Sequence, residues 1–252
     1  MTELGAVTTR LTRLVAHDLD EEQLARRVCE ACVEYLDVDG AAISVLTAEA
    51  SRRTLWATDE TALRLEEIQA TLNEGACVEA ARSGSPVLVG DLTEAAEQVR
   101  WPVFASEVAE RTPVRALFAL PLRWGAVTIG VMDLYRLRTG TFPLGQWQDL
   151  LATAEIAGLL LLGVRTRPGN GVRGDGNGAL VVDAEHDGWL SDGVFGRPEI
   201  HQAAGMVLVQ LGIGPEEALA RMRARAFAEQ RLLIDVARDV VERRLVFTEE
   251  AR

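Results

Sequence analysis

The chain has 252 residues, of which 48% are hydrophobic, and carries a formal net charge of −12. This length predicts one or two globular domains, and the negative charge argues against a nucleic-acid-binding surface spread over the whole molecule. No apolar run reaches the roughly 18 residues of a membrane span, and the N-terminus lacks the basic start and apolar block of a secretory signal. We therefore expect a cytoplasmic protein with no membrane partner.

The cysteines favour the same compartment. An odd, low count of three (Cys29, Cys32 and Cys77) gives no disulfide framework and suits a reducing cytosol. Cys29 and Cys32 form a CxxC motif, but it falls inside an amphipathic helical pattern, and no second pair of ligands exists. Two buried small side chains are therefore favoured over a metal or redox site.

The first two thirds of the chain alternate between helical and strand patterns. The predicted elements are a helical region at 2–36, strands at 40–47 and 53–58, a helix at about 60–72, a loop entering a short helix at 73–84, a strand at 85–92, a short helix at 100–112, a hairpin of two apolar strands flanking Gly125, and a helix at 144–164. This order predicts an antiparallel sheet with helices packed on its faces.

Composition changes after residue 165. Five of the ten residues at 169–178 are glycine, which predicts a flexible linker over 166–194. Helical patterns follow at about 197–211, 215–229 and 231–245, each with a narrow apolar stripe. A unit of this size is marginal alone and usually relies on a partner surface. The fold class is therefore α+β, with an N-terminal domain at 1–165 and an all-α three-helix module at 195–248.

The first of these helices contains Ala203, Ala204 and Gly205 at its centre. A mid-helix glycine costs about 1 kcal/mol relative to alanine. We expect the three small residues to keep the helix slim, so that the module packs closely on itself or on a partner.

Charge is distributed unevenly between the two parts. Residues 195–245 hold eight arginines and seven acids, a net charge of +1, whereas the remainder carries −13. Arg221, Arg223 and Arg225 lie along the second helix, and Arg231 follows it. Guanidinium groups suit phosphate clamping and stacking on bases. On charge alone, an ordinary solvated helical surface is the simpler explanation.

The C-terminal module resembles an ANTAR domain. The shared patterns are I-x-x-A-x-G in the first helix, E-A-x-x-x-[LM]-R in the second (Glu217, Ala218, Met222, Arg223) and L-x-x-V-A in the third (Leu233, Val236, Ala237). The resemblance implies a module that binds paired RNA stem-loops as a homodimer and causes transcription antitermination. Many relatives carry lysine before the first-helix glycine, where this chain has Ala204. The candidate RNA contacts are therefore Arg221, Arg223, Arg225, Arg231 and Gln202.

Residues 10–165 resemble a GAF domain, through "GACVEAARSGSPVLVGDL", "RWPVFASEVAERTPVRALFALPL" and "GVMDLY". The resemblance implies a sensory domain with a small-molecule pocket on one sheet face, often a homodimer built through its flanking helices, and leaves the ligand open. Candidate pocket residues are Cys77, Trp101, Phe104 and Phe118, although plain core positions explain them more simply. The sheet region contains no histidine, which argues against haem.

Together these resemblances predict a signal-responsive antitermination regulator and no enzyme. Two other classes remain open. A reader of duplex DNA would use the terminal helices as a helix-turn-helix, but no helix shows a polar recognition face beside a tight turn. A cysteine-dependent reductase of the GAF type would need a reactive pair, and only Cys77 lies near the expected pocket.

Overall fold

The computed structural model describes residues 5–46, 52–166, 172–174, 180–182, 198–229 and 231–248. Five strands form one antiparallel sheet in the order β2-β1-β5-β4-β3. The strands are β1 (Gly40–Leu46), β2 (Arg52–Ala57), β3 (Val87–Val89), β4 (Ala116–Trp124) and β5 (Val127–Arg136). The predicted antiparallel sheet is confirmed, including the β4–β5 hairpin, whose turn uses Gly125 at φ +58°.

Three helices cover one face of the sheet: α1 (Ala6–Thr12), α2 (Glu21–Tyr35) and α7 (Leu144–Arg165). The single helical region predicted over 2–36 is wrong in one respect, because the chain breaks between α1 and α2. Asp20 ends the break with a capping box: the Gln23 backbone N–H donates to its carboxylate over 2.7 Å, and the Gln23 side chain accepts from the Asp20 N–H. Such a box satisfies two otherwise unpaired backbone donors and fixes the start of α2.

Helix α7 is long and apolar enough, by length and composition, to cross a membrane. In this fold it packs along the sheet, with Leu150, Ala157 and Leu161 fully buried. A Cβ at Gly158 would lie 3.0 Å from the Arg123 carbonyl oxygen, so the glycine allows the helix backbone to approach β4 closely. Burial in the core therefore accounts for the apolar residues on its sheet-facing side, whereas Leu144 and Leu159 remain exposed.

The opposite face of the sheet carries a second helical layer and its own apolar core. The helices of this layer are α3 (Glu60–Leu72), α4 (Ala76–Ser83), α5 (Ala95–Arg100) and α6 (Pro102–Arg111). The bounds of α3 match the prediction because both of its ends are marked: the Asp59 side chain accepts from the Ala62 N–H over 2.9 Å, and Asn73 ends the helix in the left-handed region.

Most of the predicted linker lies outside the described residues. The described part consists of β6 (Val172–Gly174) and β7 (Leu180–Val182), which pair with each other in antiparallel fashion.

The C-terminal residues form α8 (Pro198–Leu211), α9 (Pro215–Ala228) and α10 (Leu233–Val241), which confirms the all-α module. Its small core is not closed on itself. The apolar cluster of the module includes Ala70 of α3, and the Leu233 N–H donates to the Thr71 hydroxyl over 3.2 Å in a buried contact. The outer face of α3 therefore provides the partner surface that such a thin core requires.

Of the three small residues expected to keep α8 slim, the two alanines pack against the rest of the described chain, and Gly205 makes no such contact. Ala203 and Ala204 are buried in the module, but Gly205 is exposed, and a Cβ placed there would meet nothing within 4 Å. The two alanines account for the close packing of α8, and the glycine does not.

Replacing Gly205 with alanine should therefore stabilise the protein by up to about 1 kcal/mol, because alanine favours the helix and no neighbour obstructs it. Urea unfolding of the two proteins measures the difference. Destabilisation by Gly205→Ala would contradict the exposed placement, and a loss of RNA binding without loss of stability would show that a binding partner needs this open position.

Candidate sensor site and nucleic-acid interface

A group of polar side chains lies between the sheet and the α3–α4 layer, where apolar packing would be expected. Three of its members bring ligand atoms within 4.8 Å of one another: Glu66, Cys77 and Asp133. We call the whole group the polar cluster; its members are Ser44, Arg52, Thr54, Glu66, Gln69, Cys77 and Asp133. Strands β1, β2 and β5 and helices α3 and α4 each contribute to it.

Local backbone geometry places Cys77 in the polar cluster. Gly75 precedes α4 at φ +117°, a conformation that favours glycine, and a Cβ there would lie 2.9 Å from the Gln69 amide oxygen. That oxygen instead accepts the Cys77 N–H over 2.8 Å. Gln69 thereby ties the start of α4 to α3.

Hydrogen bonds connect the rest of the polar cluster across the sheet. The Thr54 hydroxyl donates to Glu66 over 3.2 Å, and Gln69 donates to the other Glu66 oxygen over 3.5 Å. The Arg52 guanidinium donates to the Cys77 sulfur. One oxygen of Asp133 is buried without a hydrogen-bond partner among the described residues.

Burial controls the protonation of the polar cluster. It raises the pKa of Asp133 well above the usual range, and the neighbouring Glu66 raises it further, which outweighs the effect of Arg52. Burial also raises the pKa of the Cys77 thiol, although Arg52 opposes this. The site thus offers a neutral carboxylic acid and a neutral thiol beside a guanidinium group, an arrangement that can both donate and accept hydrogen bonds.

These residues do not form a good metal site, although Glu66, Cys77 and Asp133 include ligand types that metals use. A metal-binding cysteine directs its thiolate sulfur at the metal. The Arg52 guanidinium contacts the sulfur of Cys77, so a cation already lies where a metal would bind.

Substitution of Asp133 by asparagine should flatten the pH dependence of stability. The pKa of Asp133 is higher in the folded state than in the unfolded state. Its contribution to the free energy of unfolding is therefore fully present below the unfolded pKa of about 4. That contribution is lost as pH rises towards the folded pKa, at up to about 1.4 kcal/mol per pH unit. The free energy of unfolding of wild type relative to Asp133→Asn should therefore fall between pH 5 and pH 7. A difference that stays constant in urea titrations at both pH values would contradict a protonated Asp133.

The CxxC pair lies on the other face of the sheet, in the core under α2. Cys29 and Cys32 are both fully buried, and the Cys32 sulfur lies 3.7 Å from that of Met132. Burial raises the pKa of Cys32 to about 12 and that of Cys29 well above its usual value. The arrangement fits the prediction of two packed side chains.

All three thiols should be unreactive in the native protein. With a pKa of about 12, roughly 10⁻⁴ of Cys32 is thiolate at pH 8, and Cys29 and Cys77 are shifted in the same direction. Ellman's reagent at pH 8 should release almost no chromophore from the folded chain and three equivalents after unfolding in urea. One fast equivalent in the native state would instead favour the reductase alternative.

The structure brings three of the four predicted pocket residues to one side. Trp101 and Phe104 lie in the same apolar core as Cys77 and meet edge to face, with ring centroids 5.9 Å apart. The placement of Phe118 with them is wrong. Its side chain points to the α2–α7 face because strand residues alternate, and there it packs on Phe142 and under the buried guanidinium of Arg136.

Sequence reasoning missed most of the polar cluster. One signal was present: Asp133 is a charged residue inside the otherwise apolar strand pattern "GVMDLY", and such a residue is rarely buried without a partner. Glu66 and Gln69 gave no comparable signal, since both fit the polar side of an amphipathic helix.

The candidate RNA residues fall into two groups. Gln202, Arg221 and Arg225 are exposed, and the two arginines, four residues apart on one face of α9, pair with Glu217 at 3.3 Å and Glu229 at 2.5 Å. Exposed pairs of this kind are worth at most about 1 kcal/mol, so phosphates can displace the carboxylates.

The other group is less available. Arg231 is about one third exposed and bonds to both Glu229 and Asp239. Arg223 is partly buried, and its Nε is buried without a hydrogen-bond partner among the described residues. Burial lowers the pKa of Arg223, and the positive charge of Arg52 lowers it further.

The chain thus consists of an α+β domain with a buried polar cluster between its sheet and one helical layer, followed by a three-helix module. Comparison with protein families makes this specific: the GAF domain model matches residues 18–161, and the ANTAR domain model matches residues 192–241. The chain belongs to the GAF domain family and carries an ANTAR domain after its GAF domain. Both domains are regulatory types, and the resemblances drawn from the sequence are confirmed.

Solved structures support the fold. A GAF domain from an Acinetobacter phosphoenolpyruvate-protein phosphotransferase is 9% identical with a TM-score of 0.52, over 66% of this chain and 96% of that one. The GAF domain of the corresponding Coxiella burnetii protein is 14% identical with a TM-score of 0.50, over 64% and 94%. A free methionine-R-sulfoxide reductase from Neisseria meningitidis reaches a TM-score of 0.45 at 14% identity, over 65% and 90%, which is too weak a likeness to bear on chemistry. No curated protein matches the chain significantly.

Proposed function

We propose that this protein is a cytoplasmic transcription antitermination regulator, in which a small molecule sensed by the GAF domain controls the binding of stem-loop RNA by the ANTAR helices. The working units are residues 1–165, a linker at 166–194 and the module at 195–248. The observation that carries the proposal is the packing of an ANTAR module, with exposed Arg221 and Arg225, on the helix that also supplies the polar cluster.

The RNA surface begins with the exposed face of α9. Arg221 and Arg225 present guanidinium groups to solvent, and Gln202 of α8 adds an exposed amide. Guanidinium groups bind phosphate oxygens in pairs and stack on unpaired bases. Arg223 and Arg231 are both partly buried when the ANTAR helices are docked on α3, and they join this surface when the module is released. As in the family, the functional form is a homodimer that engages two hairpins.

Signal transfer runs through α3. Glu66 and Gln69 point inward to the polar cluster, whereas Ala70 and Thr71 contact the ANTAR module. A ligand that bonds to the inner residues shifts the helix, and the outer contacts change with it. The neutral acid of Asp133 and the guanidinium of Arg52 suit a ligand with both acceptor and donor groups.

A competition experiment tests the RNA assignment. The protein is bound to a labelled two-hairpin RNA at moderate salt and challenged with unlabelled hairpin RNA or with duplex DNA of equal length. We expect RNA to compete at a concentration at least about tenfold lower, a preference of about 1.4 kcal/mol. For contacts to single-stranded loops, the logarithm of the affinity should fall with the logarithm of the salt concentration at a slope of about −0.7 per phosphate neutralised. Preferential competition by duplex DNA would instead establish the helix-turn-helix alternative.

A further inference from the structure

A cavity of about 570 Å³ lies where the two domains meet. Its walls come from α3 and α6 of the GAF domain and from the end of α9 and the following turn of the ANTAR module. None of the described lining residues belongs to the polar cluster, so this is a second, separate cavity. Small-molecule sites have volumes of roughly 300–1,000 Å³ and favour domain boundaries, which makes this cavity a candidate site.

Part of the cavity wall is apolar and carries an aromatic ring. Leu72 and Val103 contribute to it from the GAF domain, and Phe227 contributes from α9. Phe227 is 54% exposed, whereas its neighbour Ala226 is fully buried. Covering an exposed ring favours binding, because apolar surface is removed from water. This wall therefore suits the apolar or aromatic body of a ligand.

The charges on α6 indicate the head group that fits beside this wall. Glu107 and Glu110 both line the cavity, three residues apart on one side of the helix. Glu107 pairs with Arg111 at 2.6 Å. A carboxylate has about four acceptor positions, so one ion pair leaves room for further donors. Two carboxylates at adjacent turns favour a cation that donates hydrogen bonds, such as an ammonium group.

An anion fits this cavity less well, although Arg231 also lines it. The Arg231 guanidinium donates to Glu229 over 3.0 Å and also to Asp239. An anionic ligand would have to displace both carboxylates while it faces the acidic side of α6. The same argument excludes RNA phosphates from the cavity.

We propose that the cavity between the GAF and ANTAR domains binds an organic cation. The ammonium group binds to Glu107 and Glu110, and an apolar, preferably aromatic, body packs on Phe227, Leu72 and Val103. Because both domains line the cavity, the ligand binds the docked form, in which the ANTAR helices pack on α3, and holds the module there. Its consequence, a lower affinity for RNA, rests on the proposed function, whereas cation binding does not.

Calorimetric titration of the full-length protein without RNA tests the head group. The probe is phenethylammonium chloride, and three compounds each change one feature of it. Phenethyl alcohol lacks the charge, phenylacetate reverses it, and methylammonium chloride lacks the aromatic body. We expect phenethylammonium to bind at least about tenfold more tightly than each of the three, because two carboxylates and the apolar wall both contribute.

Substitutions on the two sides of the cavity locate the site. Glu110→Gln should raise the Kd of phenethylammonium about fivefold, and Phe227→Ala should raise it about tenfold. Both positions are exposed, so the fold should tolerate these changes. Glu155→Gln on α7 and Val209→Ala on α8 change exposed positions away from the cavity and should bind like wild type.

Three outcomes would overturn the proposal. Phenethyl alcohol or phenylacetate that binds as tightly as phenethylammonium would remove the preference for a cation. Unchanged affinity in Glu110→Gln would remove α6 from the site, and unchanged affinity in Phe227→Ala would remove the ANTAR module from it. None of these measurements involves RNA, so the antitermination assignment would stand or fall by its own competition experiment.

Discussion

The double variant Arg223→Ala, Arg231→Ala should lose binding to a two-hairpin RNA by about 100-fold or more while remaining folded. Each charged hydrogen bond to phosphate contributes about 1.5–3 kcal/mol, so two lost contacts cost at least about 3 kcal/mol, which exceeds the roughly 2.8 kcal/mol of a 100-fold change. Gel shifts at moderate salt measure the affinity, and circular dichroism checks the fold. Arg238→Ala with Arg243→Ala removes the same charge from the same domain and serves as the control.

A second pair of substitutions reveals which form of the protein binds RNA. In the docked form, the ANTAR helices pack on α3. Arg221 and Arg225 are then exposed, whereas Arg223 is partly buried. If RNA binds the docked form, Arg221→Ala with Arg225→Ala should be the more damaging pair. If binding requires release from α3, the Arg223, Arg231 pair should be at least as damaging. Unchanged affinity in both doubles would remove α9 from the RNA surface.

Substitution of Ala70 by glutamate should free the ANTAR module from the GAF domain and raise the RNA affinity of the full chain by about tenfold or more. Ala70 is buried against the C-terminal apolar cluster and lies outside the GAF core. A carboxylate there would be desolvated without a partner, at a cost of several kcal/mol that undocking avoids. Faster hydrogen exchange in α9 and α10, together with gel shifts, provides the measurement.

Ala96→Glu is the matched control, because it makes the same change at an exposed position of α5. It should leave both exchange and RNA affinity as in wild type. If Ala70→Glu speeds exchange but leaves RNA affinity unchanged, docking does not restrain binding. If it changes neither, the contact between α3 and the module is not a stable one in solution.

Local signals in the sequence were sufficient for most of the fold. The strands show apolar runs bounded by turns, and α3 is marked at both ends by Asp59 and Asn73. The break between α1 and α2 was missed, although Asp20 and Gln23 stand at the spacing of a capping box. The apolar pattern continues on both sides of that break. One helix was therefore predicted, and the capping residues were not recognised as the start of a second.

The candidate site was less accessible to sequence reasoning, because it is assembled from separate elements. Cys77 was identified as a pocket residue, but its partners Arg52 and Asp133 come from strands whose register no local pattern specifies. Phe118 was misplaced for the same reason, since a shift of one residue exchanges the two faces of a strand. Ala70 and Thr71 look like ordinary helix residues until a second domain is packed on them.

A single helix that serves both domains makes the two binding events energetically reciprocal. Any ligand that changes RNA affinity through α3 must have its own affinity changed by RNA, by the same factor. Under the proposed function, the RNA is an effector of the sensor as much as its target, and ligand titrations with and without RNA would give one coupling constant from either direction.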